Sequence, residues 1–145
     1  MQEAEIAQFE IVQYIMESFP GVETAETLGY TFFFYGPDRM LPFATIATAD
    51  NEGDRLSNLD RPGVYRLNIG VSRQTFQSLF GVERVDVSRY DYTALDRIMP
   101  HPDYAAQNWI CVLNPTEATF EIVRTYLTEA YELARVRAAK RSKSE

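Results

Sequence analysis

The sequence predicts a two-layer α+β domain: one antiparallel sheet of about five strands with helices on one face, in the order α-β-β-β-α-β-β-α. Three observations carry this expectation. Both ends of the chain repeat apolar residues at helical spacing. Short runs rich in aromatic and β-branched residues lie between them. Gly, Pro and Asp punctuate those runs. A chain of 145 residues is one domain by length, 1–145, with residues 141–145 expected as a disordered basic tail.

Residues 3–19 read as the first helix. Phe9, Val12, Met16 and Phe19 repeat at 3-4-3 spacing, Ile11 and Ile15 widen the stripe, and Pro20-Gly21 ends it. Thr31 to Tyr35 is a short aromatic strand, Gly36-Pro37-Asp38 a turn, and Phe43 to Ala49 a second strand. Asp50 to Asp60 is polar, and its acids read as a solvated loop. The third strand, Val64 to Val71, alternates: Tyr65, Leu67, Ile69 and Val71 share one face, Arg66 and Asn68 the other. Ser72 is an N-cap for a short helix to Phe80. Val82, Val85 and Val87 mark a fourth strand, and Trp109 to Leu113 a fifth. Asn114, Pro115 and Glu117 form a capping box for the last helix, where Phe120, Val123, Leu127, Ala130 and Ala134 line one stripe.

One Cys excludes an internal disulfide and fits a reducing compartment. Glu3, Glu5 and Glu10 stand where a signal peptide would be basic and apolar, and no apolar run is long enough for a bilayer. A cytoplasmic, non-membrane protein is the expectation. The net charge of −7 repels phosphate backbones and disfavours nucleic acid. The basic residues Arg135, Arg137, Lys140, Arg141 and Lys143 cluster near the end, where cations oppose the negative pole of a helix.

Residues 100–115 hold the only His, the only Trp and the only Cys. His101 could act as a general acid or base, with Asp103 or Tyr104 assisting. A turn-shaping imidazole near solvent is the simpler role. Cys111 sits in an apolar strand and reads as a small buried hydrophobe. Arg66 and Asn68 are polar surface if their face is open, or an anion site if it lines a cleft. Nucleotide, Walker, nucleophile-elbow, zinc and dithiol signatures are missing, and no cofactor or metal-ligand set is expected.

The runs Pro20-Gly21-Val22, Thr31-Phe32-Phe33-Phe34-Tyr35, Asp60-Arg61-Pro62-Gly63-Val64, Arg66-Leu67-Asn68-Ile69-Gly70 and His101 to Pro115 together resemble an uncharacterised bacterial family, domain-of-unknown-function family 6194. The resemblance spans most of the chain. More distantly, the layout is similar to MmcQ/YjbR-like proteins. These have an initial helix ending in Pro-Gly, a sheet, and a Trp-bearing strand before a final helix carrying a Tyr, here Tyr131. That likeness implies one antiparallel sheet and, for the fold, a proposed DNA-binding role. Ala106-Gln107-Asn108-Trp109 here lacks the basic residues of the corresponding run.

The leading expectation is a small cytosolic binding module for a small molecule or peptide. Its site would comprise Arg66, Asn68, His101, Tyr104 and Trp109. The alternatives are a small enzyme using His101, with no catalytic residue assigned by motif, and a nucleic-acid module of MmcQ/YjbR type. Exposed sheet edges would also suit a homodimer.

Overall fold

A computed structural model describes residues 4–36, 39 and 41–144. Its elements are α1 (Gln8–Ser18), β1 (Val22–Thr27), β2 (Tyr30–Tyr35), β3 (Ala44–Ala47), β4 (Arg66–Gly70), α2 (Arg73–Phe80), β5 (Met99–Pro100), β6 (Trp109–Leu113) and α3 (Glu117–Ser144). The fold is α+β. Six antiparallel strands form one sheet in the order β1-β2-β3-β4-β6-β5.

Two expectations about the strands need correction. β1 was missed because Val-Glu-Thr-Ala-Glu-Thr does not alternate apolar and polar. It is an edge strand, held by its register with β2 from Val22–Tyr35 to Thr27–Tyr30. Leu28 and Gly29, both at positive φ, close that hairpin as a two-residue turn. The strand expected at Val82 to Val87 is not there: Val82 is 78% exposed, and Val87–Arg89 is a 3₁₀ turn. The short β5 takes its place in the sheet. The turn expected at Gly36-Pro37-Asp38 lies partly outside the described residues.

The helices pack on one face of the sheet. There Phe33, Ala44, Ile46, Leu67, Ile69, Ile110 and Val112 meet Ile11 and Ile15 of α1, Phe76 of α2, and Phe120, Val123, Leu127 and Ala130 of α3. Burying that apolar surface is the main drive for the layering. α1 is rotated from the expected stripe. Ile11 and Ile15 are fully buried, whereas Phe9 is 69% exposed. Both faces of that helix are apolar enough to be chosen, and the β-branched pair one turn apart is the one that fits the sheet.

Ser72 caps α2 as expected, accepting from Thr75 N at 3.1 Å. Asn114 does not cap α3, which begins at Glu117. With φ near 40°, Asn114 turns its amide toward the start of β4 instead. Its Oδ1 accepts from Tyr65 N at 3.0 Å and its Nδ2 donates to Gly63 O at 2.8 Å. α3 continues through residues 141–144, the stretch expected as a tail, and Glu145 lies outside the described residues. No helix among the described residues is long and apolar enough to cross a membrane.

Among the described residues no α-helix packs against the second face of the sheet. Residues between β3 and β4 and between α2 and β6 cover part of it, with Leu59, Tyr92 and Met99 packed on Ala47, Cys111 and Leu113. The uncovered part of this face opens into the cleft described next, which at one end also reaches the C-terminal half of α3.

Candidate functional site

The alternation of β4 sends Arg66 and Asn68 to this second face. Arg66 is fully buried there. An isolated guanidinium could not be placed so deep without a partner. Asp54 supplies it from the loop after β3. A tight turn aims that carboxylate: Asp54 N donates to Asn51 O at 3.0 Å, and Gly53 N to Asn51 Oδ1 at 3.1 Å. The pairing is bidentate, Arg66 Nη1 to Asp54 Oδ1 at 3.0 Å and Nη2 to Oδ2 at 2.5 Å. Nη1 also donates to Ser57 Oγ at 3.1 Å, and Nε to Asn68 Oδ1 at 2.9 Å. Asn68 Nδ2 then donates to Thr45 Oγ1 at 2.9 Å. Tyr30 OH donates to Asp54 Oδ2.

This network is a fixed floor. Burial by itself would raise the Asp54 carboxyl, but hydrogen bonds from Arg66 and Tyr30 and the Arg66 charge outweigh it and lower its pKa. Burial and the bond to Asp54 raise the Tyr30 phenol. The floor therefore holds one cation and one anion that cancel, and the Arg66 fork is committed to Asp54, Ser57 and Asn68.

His101 follows β5. Its backbone N donates to Trp109 O at 2.9 Å. Its Nδ1 accepts from Asp103 N at 3.0 Å and Tyr104 N at 3.2 Å, so the ring does shape the turn. It is not near solvent as expected; it is buried. Burial, with the Arg66 charge nearby, pushes its pKa down to about 3 against a smaller upward pull from Asp54. Two backbone donors on Nδ1 assign the proton of the neutral ring to Nε2. Tyr104 packs against the imidazole, ring centres 5.0 Å apart, and is 55% exposed at the rim.

Trp109 opens β6 directly after Asn108, whose φ of 68° turns the chain into the strand. Its indole lies on Gly70, the cross-strand partner in β4. A Cβ at Gly70 would come within 2.9 Å of the indole, so this glycine is required by contact. Gly70→Ala is expected to lose about 1–3 kcal/mol of stability through overpacking and to shift Trp109 emission. Urea unfolding followed by fluorescence checks both.

These parts converge on a cleft of about 750 Å³. Asn68, His101, Tyr104 and Trp109 all line it, with Tyr30, Phe32, Thr45 and Asp54, and with Leu133 and Arg137 from α3. Four of the five residues expected to form a site thus share one concavity. Arg66 is the exception: it lies behind Asn68 and does not line the cleft. Reading the acids 50–60 as solvated missed Asp54, which is buried with Ser57 and Leu59. The signal was indirect, since an inward-facing Arg66 demands a carboxylate from somewhere. Cys111 sits inert under the floor, where burial pushes its thiol up to about 12. Among the described residues no group of three His, Cys, Asp or Glu side chains could hold a metal ion.

The fold and cleft define a class: a single-sheet α+β domain with helices on one face and a polar-floored, aromatic-walled cavity on the other. Within that class the chain belongs to the family of unknown function DUF6194, which it matches over residues 6–143. No curated protein and no solved structure matches it.

Proposed function

We propose that the chain is a small cytosolic binding module, taking a small molecule or a short peptide segment into the cleft between β2, β4, His101 and Trp109. One observation carries the reading most: the His101 imidazole, its Nδ1 already taken by two backbone amides, lines an aromatic cavity with a polar floor whose own charges are paired. Apolar walls with few converging polar groups are the usual make-up of ligand pockets, and the volume falls within their range of roughly 300–1,000 Å³. A ligand would place an acceptor oxygen on Nε2 and a flat apolar body against Trp109 and Phe32.

The enzyme reading draws less support from the same ring. Nδ1 is occupied by two backbone amides, and burial keeps the ring neutral, so His101 donates instead of taking a proton. A nucleic-acid module of MmcQ/YjbR type is opposed by the net charge of −7.

Trp109, the sole tryptophan, reports on its own cleft. A panel of metabolites, nucleotides and short peptides is expected to contain compounds that change Trp109 emission and raise the melting temperature. His101→Ala should weaken those compounds about tenfold, the worth of one good buried hydrogen bond. A panel with no response, or hits indifferent to His101, would overturn the reading.

A further inference from the structure

The charged groups around the cleft are unequal. Asp54 is neutralised by Arg66. Asp103 sits exposed at the entrance. Arg137 enters from α3, one turn beyond Leu133, on the side of the helix that faces the cavity.

Arg137 differs from the paired arginines of this protein. Arg39, Arg66, Arg89, Arg124 and Arg135 each have a carboxylate within 4 Å. Arg137 has none among the described residues. It is half-buried, and both that burial and the neighbouring Arg141 charge work against its cationic form. Helix geometry does not offset this cost. α3 ends at Ser144, and the helix-pole effect falls off within the last turn, which Arg137 precedes. Among the described residues of a chain of net charge −7, Arg137 is thus a partly desolvated guanidinium without a carboxylate at the wall of an aromatic cavity.

We infer that the cleft selects monoanionic aromatic carboxylates, with Arg137 pairing the carboxylate and Trp109 and Phe32 flanking the ring. This deepens the binding reading above and rests on it. A planar guanidinium matches a carboxylate in bidentate fashion. A single uncompensated cation balances one negative charge, so a phosphate monoester dianion would leave a charge unmatched in a partly desolvated site. His101 Nε2–H is left for a second acceptor on the same ligand.

The test uses three probes of one shape on the full chain: 2-naphthoate, neutral 2-naphthamide and 2-naphthyl phosphate, titrated calorimetrically at low salt. The carboxylate is expected to bind at least about tenfold tighter than the amide, and tighter than the phosphate ester. Arg137→Gln should erase the preference, with a circular dichroism spectrum and melting temperature close to wild type showing that the variant is folded. Arg137→Lys should retain part of it. Equal binding of acid and amide would overturn the inference and leave the cleft reading intact. Tighter binding of the phosphate ester, or a preference that survives Arg137→Gln, would also overturn it. If none of the three binds at millimolar concentration, the inference fails, and the wider panel then decides the cleft reading alone.

Discussion

Asp54→Ala is expected to destabilise the protein by about 3–5 kcal/mol, the cost of breaking a buried pair from one side. The mutation leaves the Arg66 guanidinium fully buried with only Ser57 and Asn68 as acceptors. It also takes the acceptor from Tyr30 OH. The loss would far exceed that of an exposed, solvent-screened pair such as Arg89–Asp86. The double variant Arg66→Met/Asp54→Ala should recover a large part, because it removes the stranded charge together with its partner. Urea unfolding of wild type, both single variants and the double variant closes the cycle. An Asp54→Ala cost below about 1 kcal/mol would mean that the floor is solvated and the pair is not what shapes it.

Acid is expected to destabilise the fold through His101 well before the carboxylates of ordinary pKa titrate. The imidazole has a pKa of about 3 in the folded state against an ordinary 6.5. Below pH 6.5 the unfolded chain binds a proton that the folded chain refuses, so stability falls as pH drops toward 3 and is fully present above 6.5. From pH 7 to pH 4 that difference amounts to roughly 3 kcal/mol. Asp54, with its lowered pKa, adds loss in the same direction at lower pH. Unfolding free energies of wild type and His101→Gln measured at both pH values isolate the effect. The variant should be less stable at pH 7 but flatter with pH. Parallel pH dependences would show that the imidazole protonates freely in the folded protein.

The sheet was legible wherever one strand carried its own pattern. β4 alternates so regularly that the opposed faces of Leu67–Ile69 and Arg66–Asn68 follow from spacing alone, and this placed Asn68 in the cleft. The concentration of His101, Tyr104 and Trp109 in one loop-and-strand unit was likewise readable. What resisted reading depends on distant partners. β1 is a strand only because β2 lies beside it. α1 has two apolar faces, and the sheet chooses between them. Asn114 and Pro115 carry a helix-start signal, yet the Asn114 side chain is drawn away by Tyr65 N and Gly63 O. Asp54 looks like its neighbours Asp50, Glu52 and Asp60 in every local respect. Only an arginine 12 residues away on a strand sets it apart. The arrival of Arg137 at the cleft depends on how α3 crosses the sheet, which no local pattern records.

The two margins of the sheet are unequal. On the β5 side the strand is two residues long, and one of them, Pro100, has no amide hydrogen to offer. That margin cannot template the addition of another chain. On the β1 side six residues run with one row of amides and carbonyls not paired within the sheet, the wider opening for such addition. Glu26 stands along it, and like charges meeting there would oppose the accretion of identical molecules.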